Sequence, residues 1–190
     1  RLKGGTERAT RLVEQLLAMA RSDPEAAERP FVPVDLSAVA RETVAELALL
    51  AQARGLDLGF SGDAAVIVQG DVESLRVLLG NLVDNAIRYT PAGGSIDVAV
   101  AVGTGADTGT GAAATLIVAD DGPGIPREDH DRVFDRFYRR ASADATGSGL
   151  GLSIVKRIAE RHDATVSFVD GLDGAGLTVR LRFPRAPSSV

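Results

Sequence analysis

NLVDNAIRYT, residues Asn81 to Thr90, sets two carboxamides, Asn81 and Asn85, four residues apart on one face of a predicted helix. Leu75, Leu78, Leu79, Leu82 and Val83 recur at spacings of three and four and form that helix's apolar stripe. Asn is a poor helix former because its amide competes for nearby backbone groups, so two of them in mid-helix need a reason. A carboxamide oxygen is a hard, neutral ligand suited to Mg²⁺, which takes few protein groups and completes its octahedron with water and phosphate oxygens. Arg88, one turn past Asn85, is placed to meet phosphate. Taken alone, the pair fits an ordinary amphipathic helix with satisfied amides just as well.

Three further segments follow in order: DDGPGIP (Asp120 to Pro126) after the β-like run Thr115 to Ala119, FDRFYRR (Phe134 to Arg140), and GSGLGLSIV (Gly147 to Val155), which opens a helical pattern running to Arg161. With the Asn run, these resemble the Asn box, first glycine box, Phe box and second glycine box of the ATP-binding catalytic domain of sensor histidine kinases. That superfamily is shared with the DNA gyrase B subunit and the mismatch-repair ATPase. A lone glycine string is weak as a signal, but four motifs in the family's order are specific. The resemblance covers roughly residues 31 to 184.

The resemblance implies roles residue by residue. Asn85 is the direct Mg²⁺ ligand and Asn81 its neighbour one turn earlier; Arg88 lies on the phosphates and Tyr89 near the adenine ring. Asp120, at a strand end, accepts from the exocyclic amine of adenine, where guanine presents a carbonyl, and a desolvated carboxylate discriminates between the two. Gly122 and Gly124 permit close approach of the backbone, although DDGPG is also common turn chemistry. Asp121 is expected to be solvated. The amides of Gly149, Leu150 and Gly151, with Gly147 ahead of them, face the triphosphate at a helix N-terminus, and Leu150 and Leu152 anchor the turn in the core. Arg139 closes the FxxFYR pattern and reaches the terminal phosphate; Phe134 is expected in a core aromatic patch. Ala141 to Thr146 reads as a short mobile lid.

Composition fits this class. Of 190 residues, 45% are hydrophobic and 25% charged, as in a globular protein. No Cys is present, which excludes a disulfide framework and a thiolate metal site. The net charge of −5 argues against a nucleic-acid surface. No apolar run approaches the ~20 residues that span a bilayer, and there is no signal peptide. The chain starts at Arg1 and is expected to be the cytoplasmic fragment of a parent held in the cell membrane.

Residues 1 to 24 read as a helix with Leu12, Val13, Leu16, Leu17 and Met19 on one side, ended by Pro24; RLVEQLLAMAR resembles the end of the second helix of the family's dimerisation and phosphoacceptor hairpin. Being too short to be stable alone, it is expected to fold back or to self-associate weakly. Residues 25 to 33 read as a linker, 34 to 184 as the ATP-binding domain and 185 to 190 as a tail. Within the domain, Asp35 is a candidate N-cap for a helix from Leu36 to Arg54 with Val39, Val44, Leu47 and Leu50 inward. Strands are predicted at Leu56 to Phe60, Ala65 to Val68, Ser95 to Val102, Thr115 to Ala119, Thr165 to Val169 and Leu177 to Phe183, with Gly103 to Ala113 a hairpin loop. The predicted fold class is α+β: a two-layer α/β sandwich with a mixed sheet of about five or six strands, one face covered by three helices.

Neither His fits a phosphoacceptor. His130 in REDHDRVF reads as a solvated surface residue; His162 ends the last helix, favourably placed for its dipole, but Asp163 and Ala164 stand where the family has Gly-Gly. The resemblance therefore implies a domain that binds ATP and Mg²⁺ and donates the γ-phosphoryl to a His of its parent's hairpin, in a parent expected to be a homodimer. Onward transfer goes to an Asp of a response-regulator receiver domain. The chain alone is expected to bind ATP without phosphorylating itself. Two alternatives stay open: a serine protein kinase of the anti-sigma-factor type, and a non-catalytic nucleotide-sensing domain.

Overall fold

The computed structural model describes residues 29–102, 112–138 and 149–184. The expectations for the N-terminal helix, most of the hairpin loop, Arg139, the lid, Gly147 and the tail lie outside these residues.

Strand β1 (Val32–Asp35) leads directly into helix α1 (Leu36–Ala53). Asp35 caps α1 as expected, its Oδ1 accepting from the amides of Ser37 at 3.0 Å and Ala38 at 3.2 Å. Strand β2 (Asp57–Gly62) and strand β3 (Ile67–Gly70) follow. Asp71 then caps helix α2 (Val72–Tyr89), whose Leu75, Leu78, Leu79, Leu82 and Val83 are all buried, as the 3-4 spacing predicts. Strands β4 (Ser95–Val102) and β5 (Ala112–Asp120) precede helix α3 (Gly151–Arg161), and strands β6 (Thr165–Asp170) and β7 (Leu177–Pro184) complete the domain.

The main sheet has five strands in the order β2-β4-β5-β7-β6, antiparallel except for the parallel pair β2–β4. Strict alternation along β4 buries Ile96, Val98 and Val100 on one face, where they meet the helices. Leu116 and Val118 of β5 and Val179, Leu181 and Phe183 of β7 continue that layer. The result is the two-layer α/β sandwich with helices on one face.

Three expectations change. Val32 and Pro33, read as linker, are strand: β1 pairs antiparallel with β3, Val34 opposite Val68, as a separate two-stranded sheet. Leu50 is not inward; it is 45% exposed and Ala51, at 1%, takes its place, because α1 turns Val39, Thr43, the partly buried Leu47 and Ala51 inward in steps of four. Phe134 is half-buried rather than core, stacked on Phe168 with ring centroids 5.1 Å apart.

The Schellman turn after α3 accounts for the Asp-Ala in place of Gly-Gly. The Ala164 amide donates to Ala159 O at 2.9 Å and the Asp163 amide to Glu160 O at 3.1 Å, with Asp163 at φ 51°. Asp is among the few residues that tolerate this left-handed position.

Candidate nucleotide site

Helices α2 and α3 run antiparallel, and the C-terminal half of α2 faces the N-terminus of α3. Between α2, the ends of β5 and β7 and the turn after β5 lies a cavity of about 370 Å³. Leu82, Ala86, Val118, Ile125, Leu152 and Val179 give it mostly apolar walls. Its polar members are few: Asn85, Tyr89, Asp120, Asp129 and Tyr138. An apolar cleft with a handful of placed polar groups is the usual form of a small-ligand site.

Asp120 ends β5 and is 8% exposed. Its Oδ1 accepts from the Gly122 amide at 2.9 Å and the Leu177 amide at 3.3 Å, which leaves Oδ2 for a donor in the cavity. Burial raises the carboxyl above its ordinary value, against those two amides, and the neighbouring Asp121 adds to the rise. Gly124 sits at φ 68°, and a Cβ there would stand 2.7 Å from Gly176 O, so the turn below Asp120 needs glycine. Asp121 is not simply solvated: its Oδ2 accepts the Ser95 amide at 2.9 Å and its Oδ1 is buried. It fastens the turn to β4.

On α2, Asn81 Nδ2 donates to Val77 O at 2.8 Å, turning Oδ1 toward Gly151. Asn85 lines the cavity, and its amide has no hydrogen-bond partner among the described residues. A Cβ on Gly151 would come within 3.2 Å of both Asn81 Oδ1 and Asn85 Nδ2, so glycine lets α3 start hard against the two carboxamides. Arg88 pairs with Asp84 at 2.8 Å on the helix surface. Tyr89 is 46% exposed at the cavity rim.

Helix α3 begins at Gly151 with Leu150 in the N-cap position, no side-chain cap and no acidic residue in its first turn. Among the described residues no side chain caps its leading amides, and these with the dipole favour an anion. Leu152 packs on the core as expected, whereas Leu150 is half-buried and outside it. The Phe137 amide donates to Gly149 O at 3.0 Å, joining the turn before Tyr138 to the start of α3.

The sequence did not single out Asp129, whose Oδ1 accepts from the Tyr138 hydroxyl at 2.7 Å. No sequence signal marks that pair, since it depends on how the turns at Arg127–Asp129 and Arg132–Phe134 fold. His130 is also not a free surface group: its Nε2 meets Ile125 O at 3.0 Å and its ring lies 5.0 Å from Phe168.

The fold and this site define a nucleotide-binding ATPase domain, and the chain belongs to the family of histidine kinase-, DNA gyrase B- and HSP90-like ATPases, which matches residues 70–187. It is 39% identical to the sensor protein kinase PmrB of Pseudomonas aeruginosa over 180 residues, 94% of this chain and 36% of that protein. It is 39% identical to the sensor protein CutS of Streptomyces coelicolor over 183 residues, 94% of this chain and 41% of that protein. The chain thus spans little more than a third of these relatives. Among solved structures, full-length ShkA in complex with AMPPNP matches all of this chain and 38% of its own, with a TM-score of 0.77 and 26% identity. The cytoplasmic segment of the histidine kinase QseC matches 94% of both chains, with a TM-score of 0.62 and 27% identity. No described helix is long and apolar enough to cross a membrane.

Proposed function

We propose that this chain is the ATP-binding catalytic domain of a two-component sensor histidine kinase, binding ATP with Mg²⁺ for transfer of the γ-phosphoryl to a His of its parent. The observation that carries the reading is the buried carboxyl of Asp120, whose Oδ2 has no partner among the described residues, at one end of an apolar cavity whose other end is the start of α3, without a side-chain cap. Adenine fills the apolar part with its exocyclic amine on Asp120 Oδ2, Tyr89 and Leu152 flank it, and Gly122 and Gly124 let the backbone approach. The phosphates lie along Gly149, Leu150 and Gly151, with Arg88 exchanging its Asp84 pair for phosphate; Arg139 and Gly147 belong to the same set by their motif positions.

The residues present fit Mg²⁺: Asn85 offers a carboxamide oxygen with no other partner among the described residues, and the helix start beside it, which carries no side-chain cap, suits phosphates. When bound, the ion neutralises phosphate charge. The chain's own part is to hold the triphosphate by amides and guanidinium groups, and phosphoryl transfer depends mainly on such positioning and charge stabilisation.

The phosphoryl group is then passed to an Asp of a response-regulator receiver domain, and the parent is a dimer held in the cell membrane with this domain on its cytoplasmic side. Residues 1–24 supply the end of its dimerisation hairpin and 34–184 the catalytic domain. Incubating the full-length parent with γ-labelled ATP tests this: an acid-labile, base-stable label marks phosphohistidine, whereas an acid-stable label on Ser would show a serine kinase instead.

A further inference from the structure

The far ends of α2 and α3, away from the cavity, meet in a polar joint that also holds the chain entering β1. His162, the C-cap of α3, is 2% exposed. Its Nε2 accepts the Asp71 amide at 3.1 Å and its Nδ1 donates to Ile158 O at 2.8 Å. That tautomer follows from the partners, since an amide only donates and a carbonyl only accepts. Burial holds the ring below its ordinary value and so in the neutral form this pairing requires; the Arg161 charge acts in the same direction, against the Ile158 bond and the carboxylates of Asp71 and Asp163. Arg161 Nη1 donates to Asp71 Oδ2 at 3.0 Å and to Ser74 Oγ at 3.2 Å, and Ser74 Oγ donates to Asp71 Oδ2 at 2.6 Å. These contacts fix the start of α2 to the end of α3.

The incoming chain closes on the same two residues. The Phe31 ring stacks on His162 with centroids 4.5 Å apart and planes at 17°. Arg161 also lies over that ring, 5.2 Å from its centroid, and its Nη2 donates to Arg29 O at 2.9 Å. Arg29 itself reaches Asp71 at 3.9 Å. Phe31 is 38% exposed, so burying its own surface does not account for this many directed contacts.

Two helices span the distance between joint and cavity. Helix α3 has 11 residues, about 16 Å, and its first residue abuts Asn81 and Asn85. Helix α2 bridges the same distance from Asp71, its N-cap, to those carboxamides. We infer that Phe31, His162, Arg161 and Asp71 form a coupling joint through which the chain entering the domain and the nucleotide site sense each other. A nucleotide held at the start of α3 fixes the helix and with it the joint, and a chain pulled away from His162 loosens α3. Phe31 and His162 are positioning residues here, not groups that touch nucleotide. The inference rests on nucleotide binding at the cavity described above.

Coupling free energy is reciprocal, and this supplies the test. Amide hydrogen exchange is followed in the 190-residue chain with and without saturating Mg·ADP, alongside calorimetric titration. Nucleotide should slow exchange both at Leu82–Tyr89 and, across the domain, at Phe31, Val32, Val34 and Asp35. Phe31→Ala should abolish the distant effect and weaken Mg·ADP binding about fivefold, at the low end of ordinary coupling. Phe31→Tyr, which keeps the stacked ring, should restore both. Protection at Leu82–Tyr89 with none at residues 31–35 overturns the joint, as does a Phe31→Tyr chain that behaves like Phe31→Ala. Absence of any nucleotide-dependent protection overturns instead the nucleotide reading on which the inference stands.

Discussion

At the scale of single residues, the two asparagines of α2 are not equivalent. Asn81 already commits its NH₂ to Val77 O, whereas Asn85 lines the cavity and its amide has no hydrogen-bond partner among the described residues. Asn85→Ala should therefore abolish the Mg²⁺ dependence of ATP binding, and Asn81→Ala should only weaken it. Titration of each variant with ATP at graded Mg²⁺ reads this directly, and an undiminished Mg²⁺ response in Asn85→Ala would remove Asn85 as a ligand. Asp120 carries a pH signature of its own. Burial raises its carboxyl above 3.8, so in the free protein this group favours folding at acid pH and loses that contribution as pH rises through its folded value. A donor on Oδ2 favours the charged form, so nucleotide affinity should run the other way, falling as pH drops through that raised value. Calorimetric affinities from neutral to acid pH, set beside thermal stability over the same range, separate the two slopes. That Asp120 matters was legible in DDGPGIP; the task of Asp121 was not, because the amide it accepts belongs to Ser95, 26 residues earlier.

Among the elements, α3 joins site to scaffold, and its two ends are built differently. Its start carries no side-chain cap; its end is closed by a Schellman turn with Asp163 in a left-handed conformation. Glycine adopts φ near 51° without a Cβ clash, so Asp163→Gly should stabilise the domain by about 0.5–1 kcal/mol and raise Tm by a few degrees. Differential scanning calorimetry checks the sign. Element boundaries were legible where pattern is local: β4 occupies the predicted Ser95–Val102, and α1 starts at its Asp35 cap. They were not legible where pairing is distant. β1 is only four residues long and contains Pro33, and only β3, more than thirty residues on, makes it a strand. The phase of α1 failed at Leu50 for a related reason: one face of 18 residues meets the sheet in steps of four, and a leucine outside those steps stays in water.

Over the whole molecule, every buried apolar residue described lies between Val34 and Phe183, so the core and the site belong to one unit. A chain beginning at Arg29 should keep the Tm of the 190-residue chain within about 2 °C, since it removes no described contact. A chain beginning at Leu36 should lose roughly 1 kcal/mol from the missing Asp35 cap and a further 1.5–3 kcal/mol from unburying Val34 and baring β3. Chemical denaturation of the three chains orders them; equal midpoints would show that β1 adds nothing. The layer architecture and the four motifs were legible in sequence, because periodicity and motif order survive without coordinates. The parallel pairing of β2 with β4, the latch of His162 on Asp71 and the Asp129–Tyr138 bond were not, because each joins residues that no local pattern relates. The central claim is that adenine nucleotide enters the cavity at Asp120. Calorimetric titration of the wild-type chain and Asp120→Asn with Mg·ATP and Mg·GTP tests it most directly. The wild type should bind ATP and discriminate against GTP, and Asp120→Asn should lose that preference with about 1.5–3 kcal/mol of ATP affinity, roughly ten- to a hundredfold. A folded Asp120→Asn chain that binds ATP within a factor of two of wild type would contradict the account.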